Sequence, residues 1–146
     1  MTTPAEPREL EAVRAVARLS RALERSTDEL SLAHYRVLSA VASGDERASR
    51  VAKRLALGKP TVSASVDALC RRGLLERSGV AGDQRAAALE LTADGAEVLG
   101  RVERAMTGRL EELCAATPEP VLVARALGWL GEALDGAAAR RAGDAP

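Results

Sequence analysis

Residues 55–92 read LALGKPTVSASVDALCRRGLLERSGVAGDQRAAALELT, and the fold turns on how this stretch divides. "LGKP" is a tight break, with Gly58 suited to a left-handed helix cap and Pro60 to a first helical turn. The helix after it runs to about Arg72 and ends at Gly73. Two short apolar-rich runs follow, Leu74–Leu75 and Ala86 to Leu91, flanking a loop that holds Gly79, Gly82, Asp83 and Arg85. That is the pattern of a β-hairpin.

Outward from this stretch the chain reads as helix. Leu10, Val13, Ala17 and Leu23 form an apolar stripe over residues 8–25, which "STDELS" interrupts. Ser31 is placed to cap a second helix through Tyr35, Leu38, Val41 and Ala42, stopped at Ser43–Gly44. A short helix over about 47–56 turns Val51, Ala52 and Leu55 inward. After the hairpin, Thr92 caps a long helix with apolar residues at 99, 102, 106, 110 and 113. In "TPEP", Thr117 as cap, Pro118 at the first position and Glu119 against the positive helix end predict the start of a last helix. Its stripe is Val123, Leu127, Leu130, Leu134 and Ala138. "MTTPAEP" and "RRAGDAP" read as frayed ends.

Four helices, a hairpin and two helices make a mainly α fold with a small β wing. A pair of short helices joined by a Gly-containing turn suggests helix-turn-helix. With a hairpin directly behind it, the unit is a winged helix-turn-helix. The expected organisation is an N-terminal helical segment over 1–30, a winged helix-turn-helix unit over 31–92 and C-terminal helices over 93–146. The chain has 146 residues, 47% of them hydrophobic, but no Phe, one Trp and one Tyr, so its core must be Ala, Leu and Val. No apolar run reaches the roughly 18–20 residues of a membrane span, and the first residues lack a signal-peptide pattern. A cytoplasmic protein is expected. Cys70 and Cys114 lack metal spacing, and neither metal nor cofactor is expected.

Net charge is zero but unevenly spread. Nine basic residues and four acidic ones between Glu46 and Arg85 leave that segment at +5 and the remainder at −5. A basic working unit on an acidic body points to nucleic acid, against the plainer reading of charges clustered by chance on solvated helices.

On the helix over 60–72, Val62, Val66, Leu69 and Cys70 fall within an arc of about 100°. Opposite lie Thr61, Ala64, Ser65, Ala68 and Arg71, with Arg72 at the margin. So small a face lets a base edge come close. Ser and Thr can bond to bases or phosphates, Ala can touch a thymine methyl, and Arg71 and Arg72 can reach phosphates. Arg50, Lys59, Ser63 and Arg77 complete the expected DNA-contact set. In the hairpin, Asp83 and Arg85 are two apart, so an extended backbone projects both from one face. The acid would orient the guanidinium, and an oriented Arg on a thin ribbon suits a narrow minor groove.

These residues resemble the MarR family of bacterial transcription regulators. "LSLAHYRVLSAVA" is similar to that family's second helix, and "ASRVAKRLALGKPTVSASVDALCRRGLLER" to its helix-turn-helix with a Gly-Leu exit into the wing. "DQRAAALELTADG" matches the wing signature through Asp83, Arg85, Leu91, Thr92 and Gly95. The resemblance implies a homodimer with interlocked first, fifth and sixth helices. It also implies a palindromic operator whose successive major grooves, roughly 34 Å apart, receive the two reading helices. A repressor released by a small phenolic, lipophilic or drug-like effector would follow. In relatives the ligand pocket lies near the start of the second helix, here His34, Tyr35 and Arg36, for which a core or capping role is the competing assignment. Two positions depart from the family pattern. Ala64 replaces a longer polar residue, shifting weight from base readout to shape, and His34 stands where Gln is common.

Three other readings compete. An enzyme finds one His, no phosphate loop and no ligand cluster to work with. A winged helix used only for protein contact would need neither the basic segment nor the Asp83–Arg85 pair. Thiol sensing at Cys70 or Cys114 conflicts with their positions on apolar arcs, where Cys behaves as a small hydrophobe.

Overall fold

The computed structural model describes residues 7–45, 47–79 and 87–143. Within them lie α1 (Pro7–Glu24), α2 (Leu32–Ala42), α3 (Ala48–Leu55), α4 (Lys59–Arg71), β1 (Leu75–Ser78), β2 (Ala88–Leu91), α5 (Ala93–Ala115) and α6 (Pro120–Gly143). The two strands pair antiparallel, Leu75 opposite Leu91 and Ser78 opposite Ala88. The architecture is a winged helix-turn-helix with long N- and C-terminal helices, as the sequence predicts.

Helix starts follow local chemistry. Ser31 Oγ accepts from the His34 N–H at 3.2 Å, and Thr92 Oγ1 accepts from the Gly95 N–H at 3.0 Å. Helix ends are equally local: α2, α3 and α4 each close with paired backbone bonds that reach back over the last turn, Asp45 N–H to Ala40, Leu57 N–H to Ala52 and Leu74 N–H to Leu69. The closing residue takes a left-handed conformation in all three, at Gly44, Ala56 and Gly73. The expectation for "LGKP" is therefore corrected. Ala56 (φ 52°) is the left-handed residue, and Gly58 (φ −64°) is extended as the N-cap of α4. The reason is that α3 stops at Leu55, so the reversal falls one residue later, and Leu57 can pack against the core.

Two further boundaries move. The first strand extends through Glu76, Arg77 and Ser78, beyond the apolar pair Leu74–Leu75, because these exposed residues pair through their backbone with Glu90, Leu89 and Ala88. The last helix begins at Pro120, not Pro118. Thr117 closes the preceding helix instead: its hydroxyl donates to the Cys114 carbonyl at 2.6 Å, as does its N–H at 2.9 Å.

The core gathers the inner faces of α2, α3 and α4, the base of the hairpin and the first half of α5, with Leu38, Val51, Leu69 and Val102 fully buried. Core residues stop there. On α1, Val13 and Val16 are exposed, and on α6 Trp129, Leu130 and Leu134 are 51%, 55% and 68% exposed. The stripes read from the sequence exist, but the chain by itself covers them only in part: Leu23, Val123, Leu127 and Ala138 are half-buried, while Leu10, Val13, Leu130 and Leu134 are exposed. No helix among the described residues is long and apolar enough to cross a membrane.

Candidate nucleic-acid interface

Val62, Val66 and Leu69 pin α4 to the core and set which residues face out. Thr61, Ser63, Ala64 and Arg71 are exposed, Ser65 and Ala68 partly so. The outer face is therefore small and polar along its length. Cys70 is half-buried at its margin, and Cys114 is buried on α5.

A groove of about 490 Å³ opens between the starts of α3 and α4 and the hairpin. Arg47, Ser49, Lys59, Ser63 and Arg77 rim it, and Val66 and Leu89 form its floor. Both helices that begin here lack a side-chain cap, at Arg47 and Gly58, whereas Ser31 and Thr92 cap α2 and α5. Uncapped first turns leave amide N–H groups and the positive end of the helix dipole free for an anion, the usual way a helix start meets phosphate. Arg77 is held over α4 by an ion pair with Asp67 and donates to Cys70 Sγ at 3.8 Å. Its guanidinium is thus fixed at the groove between wing and helix.

The other expected site residues fall elsewhere. Arg50 lies on the opposite side of α3, with Lys53 and Arg54 in a second groove of about 550 Å³ facing Asp135 of α6. Arg72 caps the C-terminal end of α4, where it donates from Nη2 to the Glu29 carbonyl at 2.7 Å. Asp83 and Arg85 lie outside the described residues. His34 and Tyr35 are half-buried on the first turn of α2, Tyr35 against the core, while Arg36 is exposed. Burial, with the charge of Arg72 beside it, lowers the His34 pKa below its ordinary value. None of the three lines either groove. An apolar groove of about 500 Å³ between α5 and α6 is lined by Leu110, Cys114, Val121 and Ala124. No group of three or more potential metal ligands occurs among the described residues.

Sequence reasoning missed Arg47 and Ser49 as groove residues. Arg47 belongs to the basic segment, and the absence of Ser, Thr, Asp or Asn at the cap position of α3 was the signal that could have singled it out.

Residues 28–86 match the family model described as MarR family. Among solved structures, the chain is similar to a transcriptional repressor, CouR, bound to a 23-mer DNA duplex, at 25% identity and TM-score 0.73, covering 90% of this chain and 97% of that one. It is also similar in fold to apo wild-type MarR from E. coli, at 18% identity and TM-score 0.68, covering 92% and 98%. A third similar structure is CouR from Rhodococcus jostii RHA1 bound to p-coumaroyl-CoA, at 17% identity and TM-score 0.71, covering 94% and 96%. No curated protein sequence matches significantly.

Proposed function

We propose, from the match of residues 28–86 to the MarR family model, that the chain is a sequence-specific transcription regulator of that family. It binds a palindromic double-stranded operator as a homodimer, represses, and is released by a small phenolic, lipophilic or drug-like effector. This makes it a binding protein, not an enzyme, and its place the cytoplasm. Residues 31–92 form the DNA-binding unit, and residues 1–30 and 93–146 the dimerisation lobe.

The observation that carries the reading is the groove where two uncapped helix starts, Arg47, Lys59 and Arg77 converge beside the small face of α4. Phosphates on the groove fix the register, and Thr61, Ser63, Ala64, Ser65 and Ala68 then meet base edges. Arg50 and Arg71 add phosphate contacts, and Asp83 and Arg85 carry the wing into the minor groove. The DNA duplex on one similar repressor and the p-coumaroyl-CoA on another support a DNA-binding, ligand-released protein. The exposed apolar residues of α1 and α6 support a second copy as their cover. An effector that favours a wrongly spaced pair of reading helices by a few kcal/mol suffices for release.

The test is fluorescence anisotropy with a duplex from upstream of the chain's own gene, against a scrambled duplex, at several salt concentrations. Tight, sequence-preferring and salt-weakened binding is expected. Equal, weak binding to that duplex, to the scrambled one and to pools selected from random DNA would defeat the reading.

A further inference from the structure

Glu29 sits in the connection between α1 and α2, and two distant arginines close on it. Arg101 of α5 binds its carboxylate in bidentate fashion, Nε at 3.1 Å from both oxygens and Nη2 at 2.8 Å from Oε1. Arg72, at the C-terminal cap of α4, donates to its carbonyl at 2.7 Å. The Glu29 N–H is bound as well, to Thr27 Oγ1 at 3.2 Å, and Leu30 beside it is 3% exposed. The residue is thus gripped through side chain, carbonyl and amide, with its neighbour anchored in the core.

Most other ion pairs of the described residues are local. Arg21–Glu24 and Arg109–Glu112 lie within one helix turn, and Asp45–Arg54 and Asp67–Arg77 join stretches 9 and 10 residues apart. Glu29–Arg101 spans 72 residues and Arg72–Glu29 spans 43. A lone exposed pair contributes little to stability. Here a bidentate pair and a charge-assisted bond to a carbonyl share one residue, so each holds the other's partner in place. Both α4 and α5 pack against α2. The connection entering α2 is therefore a common abutment for the end of the reading helix and for the helix that leads away from the wing.

We infer that Glu29, gripped by Arg72 and Arg101, is a positioning residue that sets the angle of α4 to α5 for DNA binding. This rests on the reading of the chain as a DNA-binding protein. It also reassigns Arg72. With its guanidinium turned to the Glu29 carbonyl, Arg72 acts on DNA through the orientation of α4 and makes no phosphate contact.

The salt dependence of binding separates the two roles, because each lost phosphate contact lowers the slope of log Kobs against log salt by about 0.9. In the full-length protein, Glu29→Gln, Arg101→Gln and Arg72→Gln are each expected to weaken operator binding by about three- to tenfold with the slope unchanged. Arg71→Gln lowers the slope and serves as the phosphate-contact control. The pair Glu29→Gln with Arg101→Gln should be no weaker than either alone, and the exchanged pair Glu29→Arg with Arg101→Glu should recover most of the affinity. Unchanged affinity in Glu29→Gln, additive losses, or a reduced slope in Arg72→Gln would overturn the inference. Hydrogen exchange without DNA judges the clamp independently. Faster exchange of the Gly73 and Leu74 amides in Glu29→Gln supports it, and unchanged exchange overturns it. A wild type that binds no duplex defeats the DNA reading instead, whatever the exchange result.

Discussion

The carbonyl oxygen of Leu74 lies 2.0 Å from where a Cβ on Gly95 would stand. The exit of the reading helix and the first turn of α5 touch backbone to backbone, and Thr92 ties the same corner by donating to the Gly73 carbonyl at 2.6 Å. A methyl group at position 95 has nowhere to go, since the opposing atom is backbone. Gly95→Ala is expected to cost about 3 kcal/mol, read from urea unfolding. A loss below about 0.5 kcal/mol, within the range of an ordinary surface change, would show that this corner yields.

Ala56 occupies the left-handed position that Gly44 and Gly73 fill at the ends of α2 and α4. An L-residue there bears a cost of about 1–2 kcal/mol, while glycine adds unfolded-state entropy of about 0.5–1 kcal/mol. Ala56→Gly should therefore stabilise by about 0.5–1 kcal/mol, seen as a higher urea midpoint with the same slope. A lower midpoint would mean that the turn relaxes to negative φ.

Protonation should be felt first at His34. Burial and the positive charge of Arg72 lower its native pKa below the ordinary 6.5. As pH falls the unfolded chain takes up that proton first, so the contribution of neutral His34 is complete above 6.5 and declines as pH falls through the lowered native value. Glu29 behaves differently: the hydrogen bond from Arg101 lowers its carboxyl pKa, so its contribution persists through that window and is lost only on further acidification. Melting temperatures between about pH 7.5 and pH 5 should fall less for His34→Gln than for wild type, and in parallel with wild type for Glu29→Gln. Parallel curves for wild type and His34→Gln would remove His34 from the pH response.

Arg47 and Lys59 flank the uncapped starts of α3 and α4. Substitution of either by Ala should weaken binding to operator and scrambled duplex alike and reduce the salt slope by about 0.9. A loss confined to the operator would make the residue a base reader.

Leu130 is 55% exposed on α6, in line with Leu134 at 68%. Leu130→Glu places a charge where a second copy is expected, so sedimentation should report monomers and operator affinity should fall with it. A variant that remains dimeric with wild-type affinity would put the interface elsewhere.

Much of this architecture was legible because its signals are short in range. Ser31 and Thr92 cap helices they precede by one residue, and Gly73 ends the helix it follows, since these bonds close within a single turn. The apolar arc of Val62, Val66 and Leu69 was readable from helical geometry and is buried as expected. Where local preference left two boundaries equally open, a neighbouring residue's bonding or packing decided between them. Pro118 and Pro120 are equivalent by local preference, and Thr117 chose between them by bonding backward to Cys114. Ala56 was invisible as a turn residue because its side chain carries no preference for the conformation that Leu57 packing imposes.

The order of elements and the inward and outward faces of α4 were thus settled by residues within a few positions of one another, through hydrogen bonds and periodicities that need only one turn or one strand. Packing alone settled the rest. It brought Arg47, Lys59 and Arg77 to one groove, turned Arg72 away from that groove to Glu29, and joined Glu29 to Arg101 across 72 residues. Such pairings depend on where whole helices come to rest, and that depends on the shared core, a sum over many side chains that no local stretch encodes.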